Sequence, residues 1–379
     1  MSDEKMNSGG LNSSFSGRRI IIAGGGTGGH IFPAIAIANA LKKIDATIEI
    51  LFVGAKGRME MEKVPQSGYE IKGIDIAGFN RSSLIKNFSL PIKLVKSFFQ
   101  VRTIVNRFRP DAVIGVGGYS SFPVLWLAQS KRIPTFIHES NSFAGKSNII
   151  LGKRATKIFV ASDGMEKFFP AEKIMITGNP VRASIAETTI SKAEAVRFFS
   201  LNENHKTVLV VGGSLGAKSI NEAIDKNLDE ILKAGLQLIW QTGKPYAATA
   251  KQRAAGKQLV WVNDFITQME FAYSAADIVV SRAGAMAIAE LCVVKKPVLF
   301  VPYPFAAEDH QTANAKNLVE KNAAFMVKDN EAMEKLTPIL LALASDETKQ
   351  QELKNNIGKL AVIDADKKIA EEVMRTIRT

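Results

Sequence analysis

The sequence predicts an α/β protein built from two doubly wound, Rossmann-like domains that face a common cleft. Three observations indicate this architecture. Short apolar, β-branched runs alternate with helical patterns along the chain, as in parallel sheets covered by helices on both faces. Each half opens with an apolar strand, a glycine-rich loop and a helix. The 379 residues also exceed what one hydrophobic core needs and suit two domains of roughly 150–200 residues.

The apolar runs predict six strands in each half. In the first half they cover residues 19–23, 48–53, 112–116, 134–138, 157–160 and 174–177. In the second half they cover residues 207–211, 236–240, 258–262, 277–280, 297–301 and 324–327. We expect a disordered Ser/Gly/Asn-rich tail over residues 1–17, a first domain over 18–180, a second domain over 181–362 and a C-terminal helix over 363–379.

Two glycine-rich loops occupy matching places in the two halves. The first glycine loop, residues 24–29, follows the first strand and leads to a helix that we expect to begin near Pro33. The second, residues 212–216, leads to one helix with an apolar stripe of Ile220, Ile224, Leu228 and Ile231. Glycines at such a turn let a pyrophosphate approach the backbone and a helix N-terminus. A tight turn that binds no ligand is a good explanation for one such loop. It is a poorer explanation for two loops at matching positions of two domains.

The first glycine loop matches the dinucleotide fingerprint, but its strand pair lacks the residue that NAD binding requires. A Rossmann NAD site has an Asp or Glu at the end of the second strand to hold the ribose. Here that strand ends Phe52-Val53-Gly54-Ala55, without a carboxylate. NAD binding is therefore disfavoured.

A third segment, residues 281–290, follows a strand and opens a helix with small residues. Gly284 and Ala285 permit close approach of a ligand to the backbone. Glu290 lies among apolar residues of this helix, where a carboxylate needs a partner. It either accepts hydrogen bonds from the two hydroxyls of a ribose or pairs with an arginine.

The charge of the chain points to a polyanionic partner. The net charge is +12, and the single cysteine, Cys292, fits a reducing compartment. Residues 76–110 contain no acidic residue and interleave basic with apolar side chains. The basic residues are Arg81, Lys86, Lys93, Lys96, Arg102, Arg107 and Arg109, and Phe88 is among the apolar ones. Such a stretch suits an anionic membrane surface, and no nucleic-acid-binding motif accompanies it. A helix with an apolar core side and a solvated basic side is the plainer alternative.

Seven motifs in register give the chain a resemblance to the MurG family. They are Gly25-Gly26-Thr27-Gly28-Gly29-His30, Gly117-Gly118-Tyr119, His138-Glu139-Ser140-Asn141, Gly178-Asn179-Pro180-Val181-Arg182, Gly212-Gly213-Ser214-Leu215-Gly216-Ala217, Ser281-Arg282-Ala283-Gly284-Ala285 and Glu308-Asp309-His310-Gln311. The resemblance implies the GT-B fold and an N-acetylglucosaminyltransferase that converts lipid I to lipid II in peptidoglycan synthesis. It also implies UDP-GlcNAc and lipid I as substrates, no cofactor, and a peripheral position at the cytoplasmic face of the bacterial inner membrane, with a cell-wall synthesis complex as a partner.

The resemblance also implies that the domain over residues 18–180 faces the acceptor and the membrane, and that the domain over 181–362 binds the UDP-GlcNAc donor. It further implies which residues bind the two substrates. Donor-binding residues would be Thr27, Gly28, Gly29, Asn141, Arg182, Ser214, Ile266, Ala285, Met286, Ala287, Ile288, Ala289, Glu290 and Gln311. Among them, the backbone of Ile266 would bind the uracil edge, and Glu290 would bind the ribose hydroxyls. Arg182 and Ser214 would contact the nucleotide and its phosphates, while Asn141, the start of the 285–290 helix and Gln311 would hold the sugar and diphosphate. The acceptor pyrophosphate would lie at Gly25, Gly26, Gly28, Gly29 and His30.

Such transferases invert the anomeric centre in one displacement, which needs a general base and a stabilised UDP leaving group. His30 is the candidate base because imidazole titrates near neutrality. The alternative is that His30 only hydrogen-bonds the acceptor phosphate or orders the loop. Glu139 is expected to support a loop. The one Asp-x-Asp, Asp364-Ala365-Asp366, lies in a polar segment that looks helical, so we predict no metal site. Two other classes stay open, a UDP-GlcNAc 2-epimerase and a non-catalytic nucleotide-sugar- or NAD-binding protein.

Overall fold

The computed structural model describes residues 17–78, 90–306 and 309–378, with side chains to residue 377. Two parallel sheets organise this part of the chain. The first has seven strands in the order β3-β2-β1-β4-β5-β6-β7, and the second has six in the order β10-β9-β8-β11-β12-β13. All strand pairs are parallel. The predicted doubly wound architecture is therefore confirmed.

The strands of the first sheet are β1 Arg19–Ala23, β2 Glu49–Ala55, β3 Glu70–Ile74, β4 Ala112–Gly115, β5 Thr135–Glu139, β6 Lys157–Val160 and β7 Ile174–Ile176. Those of the second sheet are β8 Lys206–Val211, β9 Leu236–Gln241, β10 Val260–Asn263, β11 Ile278–Ser281, β12 Val298–Phe300 and β13 Phe325–Met326. The twelve predicted strands all exist, within a few residues. The prediction missed β3, an edge strand whose Glu70 and Lys72 side chains face solvent, so it lacks the continuous apolar run of a central strand.

The helices up to residue 233 are α1 Gly28–Ile44, α2 Glu60–Gln66, α3 Leu90–Phe108, α4 Ser121–Ser130, α5 Lys146–Gly152, α6 Ala183–Ala186, α7 Lys192–Phe198, α8 Lys218–Lys226 and α9 Leu228–Lys233. The later ones are α10 Ala247–Ala254, α11 Met269–Ala275, α12 Ala285–Val294, α13 His310–Glu320, α14 Ala332–Ser345, α15 Glu347–Gly358 and α16 Ala365–Arg378.

Two helix predictions were wrong in detail. The first helix begins at Gly28, so Pro33 lies inside it; at the sixth position its missing N–H costs one hydrogen bond. The helix after the second glycine loop is two helices, α8 and α9, that meet at Asn227. The side chains of the predicted apolar stripe are nevertheless all buried in one core cluster.

Both glycine loops lie beside the point at which the strand order of their sheet reverses. β1 is flanked by β2 and β4, and β8 by β9 and β11. Ligands of doubly wound sheets bind in the crevice at this position, outside the carboxyl ends of the strands.

Candidate active site

The first glycine loop leaves only part of its backbone available to a ligand. The Gly26 N–H donates to the Glu60 carboxylate at 2.8 Å, and the Gly25 N–H faces the Gly117 carbonyl oxygen at 3.4 Å. The first N–H groups of a helix have no partner within the helix, and in α1 these belong to Gly28 and Gly29. An anion at this loop would therefore be bound at the start of α1.

His30 lies in the first turn of α1, with its ring partly buried. Its Nδ1 atom is 3.1 Å from the Gly25 carbonyl oxygen. A Cβ atom at Gly117 would lie 2.8 Å from His30 Nε2, so a side chain there would displace the imidazole. Burial is the largest influence on the imidazole and lowers its pKa, whereas the hydrogen bond to Gly25 raises it. The ring is therefore neutral near neutral pH and available as a base.

His138 is not available in the same way. Its ring is fully buried at the end of β5, and burial lowers its pKa to about 4. Its Nε2 atom has no hydrogen-bond partner among the described residues. A neutral, enclosed imidazole of this kind belongs to the interior of the first domain.

The Glu139 carboxylate organises the loop that carries Asn141. It accepts hydrogen bonds from the Asn141 and Gly145 N–H groups and from the Asn148 side chain, at 2.9 to 3.1 Å. This confirms the expected role of Glu139 in loop support.

Next to this loop, Asn314 of α13 connects the two domains. Its Oδ1 atom accepts the Ser142 N–H at 3.3 Å, and its Nδ2 atom donates to the Ala283 carbonyl at 3.3 Å. Ala283 lies two residues before the first residue of α12. The position of the Asn141 loop in one domain is thereby linked to the predicted donor helix in the other.

Glu290 has an arginine partner. Arg182 Nε donates to Glu290 Oε1 at 2.9 Å, and the Tyr273 hydroxyl donates to Oε2 at 3.0 Å. Burial raises the pKa of Glu290, and both partners oppose that shift. The Arg182 guanidinium also lies 5.1 Å from the centre of the Phe32 ring on α1. This contact brings a predicted donor residue to within one helix turn of His30.

The second glycine loop is tied to the predicted uracil site by Gln241. Its Nε2 atom donates to the Gly213 carbonyl at 3.0 Å, and its Oε1 atom accepts the Ile266 N–H at 2.9 Å. The backbone of Ile266 is predicted to bind uracil, and its N–H is already donated within the protein. The Ser214 side chain is exposed above this loop.

The start of α12 and Gln311 complete the predicted donor residues. The residues Ala285, Met286, Ala287, Ile288 and Ala289 form the first turns of α12, and Gln311 Oε1 accepts the Tyr303 N–H at 3.0 Å. A cavity of about 230 Å³ between the domains is lined by Ala285, Ile288, Ala289 and Asn314, together with Ser140 and Ser142 of the first domain. Of the predicted donor residues, Ala285, Ile288 and Ala289 therefore share a cavity with side chains of the first domain, and the others do not line it.

The predicted membrane patch is described only in part. Arg81, Lys86 and Phe88 lie outside the described residues, whereas Lys93 and Lys96 are exposed on α3. Lys96 pairs with Asp75 at 2.9 Å. The same helix exposes Ile92, Val95 and Phe99, of which Ile92 is 73% and Phe99 67% accessible.

The described residues contain neither a candidate membrane span nor a candidate metal-binding cluster. No helix there has the length and apolar content to cross a bilayer. No group of three or more His, Cys, Asp or Glu side chains is placed to hold a metal ion.

Sequence reasoning missed four residues that shape this site, namely Glu60, Gln241, Tyr273 and Asn314. Each acts through the backbone or through another side chain, and each is distant in sequence from the group that it contacts. Asn314 alone had a local signal, because it follows Gln311 by three positions on one helix face.

The chain matches the N-terminal domain of glycosyltransferase family 28 over residues 20–160 and the C-terminal domain of that family over residues 207–372. Both matches fall on the sheets and loops described above. The chain is therefore a family 28 glycosyltransferase with the GT-B fold.

The similarity extends to individual relatives. The chain is 51% identical to the UDP-N-acetylglucosamine–N-acetylmuramyl-(pentapeptide) pyrophosphoryl-undecaprenol N-acetylglucosamine transferase of Parabacteroides distasonis, over 95% of this chain and 98% of that one. It is 52% identical to the transferase of the same name from Phocaeicola vulgatus, over 94% and 96% of the two chains. The chain belongs to the MurG family.

Solved structures agree with this assignment. The crystal structure of Acinetobacter baumannii MurG has a TM-score of 0.76 and 27% identity, and covers 94% of this chain and 99% of its own. The UDP-GlcNAc 2-epimerase of Neisseria meningitidis has a TM-score of 0.63 at 14% identity, with 95% of this chain and 100% of that chain covered. The likeness to the epimerase is one of fold alone.

Proposed function

We propose that this protein transfers N-acetylglucosamine from UDP-GlcNAc to the muramyl 4-hydroxyl of undecaprenyl-pyrophosphoryl-MurNAc-pentapeptide, converting lipid I to lipid II in peptidoglycan synthesis. The observation that carries the proposal is the contact of Arg182 with Phe32 on α1. It joins the donor residues of one domain to the helix that presents His30 in the other. The names of the relatives supply the two substrates.

The donor would lie on the second domain, with its diphosphate near the start of α12 and near Arg182. Both provide positive charge where the UDP leaving group gains negative charge. Glu290 would accept the ribose hydroxyls, and Gln311 and Asn141 would hold the sugar. Since the Ile266 N–H is donated to Gln241, uracil recognition through that group requires Gln241 to release it.

The acceptor pyrophosphate would lie at the start of α1, near the Gly28 and Gly29 N–H groups. His30 would take the proton of the 4-hydroxyl as its oxygen attacks the anomeric carbon. The bond from that carbon to the phosphate oxygen breaks, and UDP leaves with the electron pair. The configuration at the anomeric carbon is inverted, and no cofactor takes part.

The acceptor is anchored in a membrane, so the enzyme must work at a membrane surface. The exposed Lys93, Ile92, Val95 and Phe99 of α3 combine a cation with apolar side chains, which suits anionic headgroups. We therefore propose peripheral attachment at the cytoplasmic face of the inner membrane, with a cell-wall synthesis complex as a neighbour. Nucleic acid is not expected as a partner.

One assay tests the reaction and its alternatives. The protein is incubated with UDP-GlcNAc labelled in the sugar, with and without a lipid I analogue, and the products are separated. We expect labelled disaccharide-lipid only when acceptor is present, and the same yield in the presence of EDTA. Acceptor-free conversion to UDP-ManNAc would identify a 2-epimerase instead, and binding without turnover a non-catalytic protein.

A further inference from the structure

Glu60 is a buried carboxylate to which the proposed reaction gives no role. It is 1% exposed at the start of α2. Its Oε1 atom accepts the Ala55 N–H at 3.0 Å, and its Oε2 atom accepts the Gly26 N–H at 2.8 Å. Among the described residues it forms no ion pair. A buried charge of this kind is costly, and hydrogen bonds to it compensate.

The backbone around Glu60 leaves room for this carboxylate. A Cβ atom at Gly25 would lie 2.3 Å from Glu60 Cδ, and one at Gly54 would lie 2.5 Å from Glu60 Cγ. Two glycines, one in the first glycine loop and one in β2, therefore allow an internal carboxylate to contact the loop from behind. Part of the glycine pattern in the first domain serves this contact and not an external ligand.

A single peptide unit separates Glu60 from His30. The carbonyl of Gly25 and the N–H of Gly26 belong to the same peptide bond. Its N–H donates to Glu60, and its carbonyl oxygen accepts from His30 Nδ1 at 3.1 Å. Because a carbonyl oxygen only accepts, Nδ1 carries the proton and Nε2 of the neutral ring is unprotonated.

Hydrogen bonds in such a chain strengthen one another. The carboxylate polarises the peptide unit, which places more negative charge on the Gly25 oxygen and strengthens its bond to Nδ1–H. We infer that Glu60, acting through the Gly25–Gly26 peptide, holds His30 in the tautomer whose Nε2 atom can accept a proton. Glu60 is thus a positioning residue, and its importance for catalysis rests on the proposed role of His30 as the base.

Other charged groups near His30 define what a titration should show. The titratable groups that face it are Glu60 of α2, Glu139 and His138 of β5, and His310 of α13. The two carboxylates raise the pKa of His30 and His310 lowers it, while burial is the largest influence and lowers it. Replacing Glu60 by a neutral residue should therefore lower the pKa of His30 further.

Nitrogen NMR of the full chain with ¹⁵N-labelled histidine tests the inference without any substrate. The chain has four histidines, so the His30 signals are assigned by their absence from a His30→Ala spectrum. In the wild-type protein we expect the proton on Nδ1. In Glu60→Gln we expect a measurable population with the proton on Nε2 and a titration midpoint at lower pH. A wild-type ring protonated on Nε2 would overturn the inference even if the variant did not fold, as would a folded variant with unchanged tautomer and midpoint.

Kinetics with a matched control connect the inference to turnover. Glu62→Gln makes the same substitution on the same helix, at an exposed carboxylate. We expect Glu60→Gln to lower kcat about 10-fold, part of the roughly 10²- to 10⁴-fold contribution of a general base, with little change in KM for UDP-GlcNAc. Glu62→Gln should leave both constants unchanged. Full activity in His30→Ala would overturn only the base role, whereas an Nε2 proton in the wild-type ring would overturn only the role of Glu60.

Discussion

The chemistry proposed for this enzyme depends on one imidazole whose surroundings keep it neutral. His30 is partly buried, and that burial lowers its pKa below the ordinary value of histidine. A base must be unprotonated, so activity is present above the His30 pKa and is lost as the pH falls through it. The acid limb of the pH–rate profile should therefore lie below the pKa of a free histidine, about 6.5.

Replacing His30 by alanine tests this role. We expect kcat to fall about 10²-fold or more, the usual contribution of a general base, and the acid limb of kcat/KM to disappear. The matched control is His205→Ala, which removes an imidazole that bonds the Gly235 carbonyl in a loop of the second domain. It should keep the turnover and the pH profile of the wild-type enzyme. A decrease of only a few-fold in His30→Ala, with an unchanged profile, would show that His30 is not the base.

Glu290 is the residue for which sequence reasoning left two roles open. The structure shows an ion pair between Glu290 and Arg182. In the proposed complex the donor phosphates attract the Arg182 guanidinium, which leaves the Glu290 carboxylate able to bind the ribose hydroxyls. We expect Glu290→Gln to raise KM for UDP-GlcNAc about 10-fold or more, since hydrogen bonds to charged groups contribute roughly 1.5–3 kcal/mol. Glu270→Gln, on the neighbouring helix α11, should leave KM unchanged.

A ligand series then separates the two roles of Glu290. If the Glu290 carboxylate binds the ribose, 2′-deoxy-UDP should bind the wild-type enzyme more weakly than UDP does. The Glu290→Gln variant should bind the two ligands with almost equal affinity. Calorimetric titration measures both affinities. If the loss of affinity from UDP to 2′-deoxy-UDP is the same in both proteins, Glu290 acts only through its ion pair with Arg182.

At the scale of elements, the start of α12 and the second glycine loop use glycine for different reasons. Within the part of the chain that the structure describes, a Cβ atom at Gly284 would have no neighbour within 4 Å, and the φ of −68° suits any residue. A Cβ atom at Gly216 would lie 1.9 Å from the Thr242 carbonyl oxygen, and its φ is +77°. The first glycine therefore leaves space for a ligand, whereas the fold itself requires the second.

This difference predicts opposite outcomes for two alanine substitutions. Gly284→Ala should change the free energy of unfolding by less than about 1 kcal/mol. It should raise KM for UDP-GlcNAc if, as proposed, the donor diphosphate lies at the start of α12. Gly216→Ala should cost at least about 1–3 kcal/mol of stability through backbone strain. Urea unfolding and initial rates measure the two effects. An unchanged KM in Gly284→Ala would contradict close approach of the donor to α12.

The exposed face of α3 is the proposed membrane-binding surface, and a charge reversal on it tests this role. Lys96 is paired with Asp75, so Lys93 is the better position for a charge reversal. Each cation near an anionic surface contributes about 1 kcal/mol, so Lys93→Glu should weaken binding to phosphatidylglycerol vesicles roughly 30-fold. Lys251→Glu on α10 makes the same change in the second domain and should have little effect. Undiminished sedimentation of Lys93→Glu with these vesicles would rule out this face as the anchor.

At the scale of the whole molecule, the polypeptide chain crosses between the two domains twice. The chain passes into the second domain after β7, and α16 returns to pack against α1 of the first. The Ile369, Val373, Met374 and Ile377 side chains of α16 are buried in the core of the first domain. The segment predicted as a separate C-terminal helix is thus part of the N-terminal half of the structure.

Removing residues 363–379 should therefore unfold the first domain although the cut lies beyond the second. Burial of each large apolar side chain contributes about 1.5–3 kcal/mol, so the four together approach the total stability of a domain. Thermal unfolding followed by circular dichroism should show that the transition of the first domain is lost and that of the second domain is retained. Ile369→Ala should lower stability by about 2–5 kcal/mol, and Lys367→Ala, on the exposed side of α16, should not. An unaltered transition in the truncated protein would contradict this packing.

Parts of the site were predictable because they have local signals. The glycine loops and the start of α12 each follow a strand end that an apolar run identifies, and Glu290 stood out as a carboxylate among apolar residues. Arg182 was indicated only by the resemblance to the MurG family. β3 was missed because its exposed Glu70 and Lys72 give an edge strand the composition of a loop. The boundary of α1 was missed because Pro33 suggested a first turn, whereas the helix begins at Gly28 and includes it.

The sequence by itself determined two doubly wound domains and two glycine-rich loops of the phosphate-binding type, because periodicity and glycine spacing are local properties. Most of the other site residues were indicated only by the resemblance to the MurG family. Tertiary structure alone decided which groups are committed within the protein. The Gly26 N–H is donated to Glu60, the Ile266 N–H to Gln241, and Glu290 pairs with Arg182. These contacts join residues 25 to 108 positions apart, and only the folded sheets bring such residues together.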